Sequence, residues 1–369
     1  MIKLIHVITD TNIGGAGVWV LNYLKAFDRE QYEVSVALPK NSLLTPKICE
    51  LGIKAFEIDN IADKSFSKEG IKEFIKLFKE QKPDIVHCHA SLSARIASKS
   101  LGIKTVNTRH CLEEKKSFPK NIIYSLINNA LSDIVIGVSK VTCQNLLDDG
   151  TKKEKVRLVY NGVKPLIKYS DEEKEKTKKA YGIPQENIVV GIVARLEKVK
   201  NHELFLKMGK LLLEKYKNIT LLIAGEGSER ENIEKLSKKL GIHESVVFCG
   251  YQKDVSAIVN VIDIMTLTSH KEALSLSLIE GMTLGKPCVA TASGGPEEVI
   301  ENGVTGLISN NNYEEFARKV SYYIDNPDEA RKAGESGRVR SEKIFAITSM
   351  TKILDRIYYE LMRKKGAEK

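Results

Sequence analysis

Two glutamates separated by an apolar run, Glu272 and Glu280, are the residues of this sequence most suggestive of chemistry. The pattern around them predicts a loop and then a helix that begins near Leu274 or Ser275 and ends at Gly285. Free backbone N–H groups at the start of a helix favour an anion. A phosphate held there would have one carboxylate on each side. Two solvated surface charges are the alternative reading of the same pair.

Two cations flank a second predicted loop. Arg195 and Lys200 follow the apolar run 188–193, which is rich in β-branched residues and predicts a strand buried on both faces. Taken alone, they are either ordinary exposed charges or a pair that binds a charged ligand.

A glycine-rich turn follows the first predicted strand. Residues 2–9 form an apolar run, Gly14 and Gly15 come next, and a helix is predicted over 18–28. This order places backbone amides where they can approach a phosphate, although a simple tight turn explains it equally well. The dinucleotide-binding spacing G-x-G-x-x-G is broken at Val20.

Histidines mark the ends of two further predicted strands. His87 and His89 alternate within the strand 84–89, and no cluster of carboxylates or cysteines accompanies them, so no metal site is predicted. His110 stands just past the strand 104–108, at the end where open α/β sheets bind ligands. A histidine with a purely structural role is the alternative.

Strand-like and helix-like segments alternate along the whole chain, apart from a linker at 164–170. The 369 residues are 42% hydrophobic and 28% charged, a globular composition long enough for two domains. The alternation predicts an α/β protein with two doubly wound, Rossmann-like domains that face each other across a cleft.

Charge and cysteine content restrict the cellular context. A net charge of +9 suggests an acidic partner, such as anionic lipid, a phosphorylated acceptor or nucleic acid. Six cysteines without a C-x-x-C pair suggest thiols in a reducing compartment. The N-terminus lacks a signal-peptide pattern, and no apolar run approaches the length of a membrane span. We therefore expect a cytoplasmic protein that docks at the inner face of the membrane.

The run from Glu272 to Ala290 resembles the E-x7-E signature of retaining glycosyltransferases of the GT4 type, which have the GT-B fold. Ala273 and Ser275 stand where that family usually has glycines. The segments 84–89 and 194–201 also resemble family strings, as does Arg109-His110.

The resemblance implies a role for each candidate residue. His110 and Glu272 contact the donor sugar and are the catalytic candidates, Glu280 takes the ribose hydroxyls, and the helix start shares the diphosphate charge with two cations. The implied donor-binding residues are Gly14, Gly15, Arg195, Lys200, Ala273, Leu274, Ser275, Leu276, Ser277 and Glu280. Because the sequence has no D-x-D motif, we expect no metal ion and no cofactor besides the nucleotide sugar.

The same resemblance implies domain limits and partners. Residues 1–166 form an acceptor-side domain, onto which a terminal helix of about 349–369 crosses back, and residues 167–348 form the donor domain. The implied reaction is retaining transfer of a hexose or N-acetylhexosamine, UDP-linked, to a saccharide or lipid-linked acceptor in cell-surface glycan biosynthesis. Apart from the resemblance, the basic stretch 113–120 with the helix 121–130 after it suggests a lobe that faces the membrane or the acceptor, and a charged surface loop is the alternative.

Three other classes of function are alternatives to this one. A non-catalytic partner of another glycosyltransferase would bind the nucleotide sugar without turning it over. The broken glycine motifs speak against an NAD-dependent enzyme. A nucleic-acid binder would need a reading helix or an aromatic platform, and the sequence has neither.

Overall fold

The computed structural model describes residues 1–113 and 120–367. It divides the chain into two compact units. The N-terminal unit comprises Met1–Gly162 together with Ile347–Lys369, and the C-terminal unit comprises Val163–Ala346. Of the expected basic stretch 113–120, residues 114–119 lie outside the described residues.

The N-terminal unit contains a seven-stranded sheet whose described strand pairs are all parallel, in the order β3-β2-β1-β4-β5-β6-β7. Its strands are β1 (Ile2–Ile8), β2 (Tyr32–Pro39), β3 (Lys54–Ile58), β4 (Ile85–His89), β5 (Lys104–Arg109), β6 (Ile134–Gly137) and β7 (Val156–Leu158). The order reverses between β1 and β4, and such a switch point is where open α/β sheets bind ligands.

In the described part of this unit, six α-helices follow the strands of the sheet before the chain enters the second unit. They are α1 (Gly15–Leu24), α2 (Thr45–Glu50), α3 (Lys68–Gln81), α4 (Leu92–Ser100), α5 (Lys120–Leu131) and α6 (Lys140–Asp148). The predicted start of α1 at 18 was wrong by three residues, because Gly14 forms the N-cap and the glycine-rich segment itself makes the first turn. Helix α4 was not predicted, since its short Ser- and Ala-rich sequence lacks a clear apolar stripe.

The C-terminal unit contains a second parallel sheet, of six strands, in the order β10-β9-β8-β11-β12-β13. Its strands are β8 (Ile188–Val193), β9 (Ile219–Ala224), β10 (Val246–Gly250), β11 (Ile264–Leu267), β12 (Cys288–Thr291) and β13 (Leu307–Ser309). Its helices are α7 (Asp171–Ala180), α8 (His202–Lys215), α9 (Arg230–Lys239), α10 (Ser256–Val261), α11 (Leu276–Thr283), α12 (Pro296–Val299), α13 (Tyr313–Asp325) and α14 (Pro327–Ile344).

The last helix, α15 (Ile347–Ala367), belongs to the N-terminal unit and covers one face of its sheet. Leu354 and Tyr358 of α15 are buried in the same apolar cluster as Trp19 of α1 and Ile8 of β1. A separate cluster under α3 and α4 covers the other face and includes Phe74. Burial on both faces explains why the strands of the sheet read as continuous apolar runs.

The predicted fold class is confirmed in both units, each of which is a doubly wound parallel α/β sheet. Among the described residues, no helix combines the length and the apolar character needed to cross a bilayer.

Candidate active site

Helix α11 begins where the sequence predicted a helix start, after the loop that leaves β11. Ser275 is its N-cap, and the Oγ atom of Ser275 accepts a hydrogen bond from the Leu278 N–H at 3.3 Å. The Oγ atoms of Ser275 and Ser277 lie 3.2 Å apart. The N–H groups of Leu276 and Ser277, in the first turn, have no intrahelical acceptor, so the helix start offers donors to an anion.

Glu272 and Lys200 form an ion pair that joins the loop after β11 to the loop after β8. The Lys200 Nζ atom lies 2.5 Å from Glu272 Oε2, and the two side chains are only 17% and 13% exposed. Ser269 Oγ donates a second hydrogen bond to the same carboxylate oxygen, at 3.3 Å. The structure therefore unites the cation expected for a phosphate with the carboxylate expected for a sugar.

The backbone of Glu272 is held by the loop that follows β12. Its N–H donates to the Ser293 carbonyl at 2.9 Å, and its carbonyl accepts from the Gly295 N–H at 2.8 Å. A Cβ atom on Gly295 would lie 2.5 Å from the Ala273 carbonyl oxygen, so this close approach requires glycine. The sequence contained the Gly294-Gly295 pair, but its supporting role became visible only in three dimensions.

Ala273 and Leu274 lie in the loop that leads into α11. Their side chains are buried, whereas Leu276 is partly exposed. Contacts from residues 273–274 to a ligand would therefore use backbone amides.

Arg195 lies on the same loop as Lys200 but does not join the ion pair. Its side chain is 69% exposed, and its Nη1 atom lies 2.5 Å from Glu197 Oε1. The backbone of Lys200, in contrast, is held in place, because Thr268 Oγ1 donates a hydrogen bond to the Lys200 carbonyl at 3.0 Å. Arg195 is thus an exposed cation beside the loop, whereas Lys200 is ordered within it.

Glu280 lies on the second turn of α11 and is largely buried. The pKa of Glu280 is raised to about 7, mainly by burial and to a smaller extent by the negative charge of Asp254. Near neutral pH this side chain therefore exchanges between a carboxylic acid and a carboxylate, unlike an ordinary surface glutamate.

In the N-terminal unit, His110 follows β5 and contacts a second histidine. Its Nε2 atom lies 2.8 Å from His89 Nδ1, and His89 Nε2 in turn lies 3.1 Å from His6 Nδ1. The indole of Trp19 packs edge-on against the His110 ring, with the ring centroids 5.8 Å apart. Burial lowers the pKa of His110 to about 3, so the imidazole is neutral at physiological pH.

Gly14 and Gly15 lie at the start of α1, where a Cβ atom on either would have no neighbour within 4 Å. Neither residue has a positive φ angle among the described glycines. Folding therefore does not require glycine at these two positions, and their small size leaves room beside the helix start.

Three histidines of the described residues lie close enough to suggest a metal site, namely His6, His87 and His89, whose nearest ring nitrogens lie within 4.8 Å of one another. His89 Nε2 and His6 Nδ1 already form a hydrogen bond at 3.1 Å, and the His87 ring stacks on the His89 ring at an interplanar angle of 20°. Both His87 nitrogens also have hydroxyl partners, Tyr358 and Thr108. This geometry does not favour a metal ion.

The contacts of His6 with His89 and of Trp19 with His110 were not predicted from the sequence, because His87 and His89 were considered only on their own strand. The signal was available, since β1 runs beside β4 and His6 pairs in register with His87. Neighbouring histidines on adjacent parallel strands share a face of the sheet.

The raised pKa of Glu280 predicts that stability depends on pH. Glutamate in the unfolded chain ionises near 4.5, whereas native Glu280 holds its proton to about 7, so its contribution falls as pH rises through this window. We expect Glu280→Gln to stabilise the protein relative to wild type more at pH 8 than at pH 5, by up to about 3 kcal/mol. Urea unfolding at both pH values, with the exposed Glu186→Gln as control, measures this difference. A pH-independent difference would contradict it.

The Lys200–Glu272 pair predicts non-additive changes in stability. We expect Lys200→Met or Glu272→Gln alone to lower the free energy of unfolding by about 1–3 kcal/mol, because each leaves a poorly solvated charge without its partner. The double variant should recover part of this loss. The exposed Lys332–Glu329 pair, changed in the same way, should show coupling below about 0.5 kcal/mol. Additive losses at Lys200 and Glu272 would rule out the coupling.

Both halves of the chain match known protein families. Residues 13–165 match Glycosyltransferase Family 4, and residues 173–340 match Glycosyl transferases group 1. The putative glycosyltransferase EpsD of Bacillus subtilis is 26% identical over 95% of this chain and 94% of its own length.

Two further proteins extend the comparison. The Escherichia coli UDP-Gal:alpha-D-GlcNAc-diphosphoundecaprenol alpha-1,3-galactosyltransferase is 23% identical over 88% of each chain. The crystal structure of Anabaena HepE in complex with UDP-glucose matches with a TM-score of 0.87 at 19% identity, covering 98% of this chain and 100% of HepE. The structural match shows the GT-B fold, and the two family matches show that this chain belongs to the GT4-type glycosyltransferases.

Proposed function

We propose that the protein transfers a hexose or N-acetylhexosamine from a UDP-sugar to a saccharide or lipid-linked acceptor, with retention of configuration, in cell-surface glycan biosynthesis. The observation that carries the proposal is the pairing of Lys200 with Glu272 in the loop that leads into α11. A cation, a carboxylate and free helix N–H groups then occupy one edge of the C-terminal sheet.

The relatives support the nature of the two substrates. HepE was crystallised with UDP-glucose, and the Escherichia coli relative is named for a UDP-galactose donor and a lipid-linked acceptor. These properties belong to those proteins, and we extend their class to this chain on the strength of family membership.

The chemistry of the proposed reaction is dominated by the charge of the leaving diphosphate. The N–H groups of Leu276 and Ser277 and the positive end of α11 would bind its oxygens. Lys200 would contribute its charge while it remains beside Glu272, and Arg195 has the exposure needed to turn toward a ligand. These groups account for the charge without a divalent ion, so we propose a metal-independent transfer.

Recognition of the donor hydroxyls would use the two glutamates and one histidine. Glu272, with the amides of Ala273 to Ser275, would hold the sugar hydroxyls. Glu280, once ionised, would accept hydrogen bonds from both ribose hydroxyls. His110 would contact the sugar as a neutral imidazole, since its lowered pKa prevents a positive charge.

A thermal-shift screen of nucleotide sugars with EDTA present tests the donor and the metal requirement together. We expect UDP-glucose, UDP-galactose or UDP-N-acetylglucosamine to raise the unfolding temperature, whereas GDP-mannose and ADP-glucose have little effect. Ligand at a hundred times its Kd would stabilise the fold by about 2.7 kcal/mol. Stabilisation that requires added magnesium or manganese would contradict metal independence, and no response to any UDP-sugar would contradict the proposed donor.

Hydrolysis of the UDP-sugar without an acceptor separates a transferase from a non-catalytic binding partner. We expect slow release of UDP by the wild type and its loss in Glu272→Ala, because that variant removes the carboxylate expected to hold the sugar. The exposed Glu186→Ala is the matched control and should retain the activity. Donor binding without any turnover, with or without acceptor mixtures, would favour the binding partner.

Peripheral contact with an anionic membrane is proposed for the surface around α5. Ile122, Ile123 and Leu126 are 45%, 54% and 64% exposed, and their i, i+1, i+4 spacing places them on one side of the helix. Lys115 and Lys116 precede this helix in the sequence, outside the described residues. An apolar helix face in a segment whose sequence also carries basic residues is typical of proteins that bind the surface of anionic bilayers.

Vesicle sedimentation tests this surface. We expect binding to phosphatidylglycerol-containing vesicles and not to pure phosphatidylcholine, with loss of binding in 0.5 M salt because the charges are screened. The triple variant Ile122→Ser, Ile123→Ser, Leu126→Ser should abolish binding. Val339→Ser, which changes an exposed apolar residue of α14, should leave it intact. Equal binding by both variants would exclude α5 as the contact.

A further inference from the structure

Three imidazoles form a hydrogen-bonded row inside the N-terminal unit. The row runs from His6 on β1, through His89 on β4, to His110 just past β5, with nitrogen–nitrogen distances of 3.1 and 2.8 Å. His6 is fully buried and His89 is 2% exposed, so water does not compete for these bonds. Only His110, at the carboxyl edge of the sheet, is partly exposed.

The row has one of two directions. Burial lowers the pKa of all three imidazoles, so each ring is neutral and carries a single N–H. His89 uses both nitrogens within the row and can donate from only one of them. If His89 donates to His110, it must accept from His6, and the reverse direction requires both bonds to run the other way.

The two ends of the row decide between these directions. In the described residues, His6 Nε2 and His110 Nδ1 are buried and have no hydrogen-bond partner. One direction leaves a bare lone pair on His6 and an N–H on His110, and the other leaves the unpaired N–H on His6. Each direction leaves one N–H and one lone pair without a partner, so the surroundings of the two ends decide the choice. His6 is fully buried between Trp19 and Tyr23, where no ligand can supply an acceptor, whereas the His110 ring is partly exposed at the carboxyl edge of the sheet. The N–H is therefore placed on His110.

We propose that His6 and His89 are positioning residues that hold His110 as its Nδ1–H tautomer, which donates a hydrogen bond to an oxygen of the bound donor sugar. The proposal deepens the role given to His110 above and rests on that proposed function for the identity of the ligand. In the protein without ligand this buried N–H has no acceptor, and an oxygen of the bound sugar would supply one. Trp19, packed edge-on against the ring, restricts its rotation.

His87 provides a matched internal control. Its ring stacks on His89 with a centroid distance of 4.7 Å, so it belongs to the same packed cluster. Its nitrogens, however, bond to Tyr358 OH at 2.7 Å and to Thr108 Oγ1 at 2.6 Å. A substitution at His87 therefore disturbs the packing of the cluster without interrupting the row.

Nitrogen NMR of the full chain labelled with ¹⁵N-histidine tests the proposal directly. We expect the His110 resonances, assigned by their loss in His110→Asn, to show a protonated Nδ1 and a bare Nε2 at pH 7. The opposite tautomer or a doubly protonated ring would overturn the proposal. This measurement needs neither ligand nor activity, so it decides the matter even if the variants below fail to fold or the donor proves not to be a UDP-sugar.

Paired variants test whether the row causes the tautomer. His6→Leu removes the first donor and should shift His110 toward Nε2–H, whereas His6→Asn keeps an N–H near the Nδ1 position and should preserve the wild-type state. His89→Phe should shift it as well, and His87→Phe should not. For UDP-glucose hydrolysis, we expect His6→Leu and His89→Phe to lower kcat at least about tenfold with a smaller change in KM. Equal losses in His87→Phe and His89→Phe, with the His110 tautomer unchanged, would indicate a structural role only and overturn the proposal.

Discussion

The ion pair between Lys200 and Glu272 is the interaction on which the carboxyl edge of the C-terminal sheet depends. Its residues lie 72 positions apart, yet they meet because the loops after β8 and β11 leave neighbouring strands at the same edge. The loop after β12 adds the backbone hydrogen bonds that hold Glu272. Three loops are thereby fixed around the start of α11. Under the proposed function, a ligand with phosphate and hydroxyl groups would meet a cation, a carboxylate and N–H donors already in place, which would reduce the cost of ordering them on binding.

The two units contribute different chemistry. In the C-terminal unit the candidate residues carry charge, and the environment tunes that charge, as the raised pKa of Glu280 shows. In the N-terminal unit the candidate residues are neutral imidazoles buried beside Trp19, where a positive charge would be poorly solvated. The charged candidate residues thus lie at the C-terminal sheet, and the neutral hydrogen-bonding candidates lie at the N-terminal sheet.

The sequence predicted the strands well because they are buried on both faces. Strand β8 begins and ends at the residues expected from its apolar run. It also located Glu272, Lys200 and His110 individually, since motif spacing is a local signal. It did not reveal which of them touch. The Lys200–Glu272 bond and the His6–His89–His110 row depend on pairing between distant strands, and neither spacing nor periodicity reports that pairing.

A crystal structure of the chain soaked with UDP-glucose tests the central claim most directly, because it locates the diphosphate without any assumption about the acceptor. The account predicts phosphate oxygens within hydrogen-bond distance of the Leu276 and Ser277 N–H groups, with Lys200 Nζ beside them and the ribose at Glu280. Phosphates bound far from residue 276 and from Arg195 would contradict it.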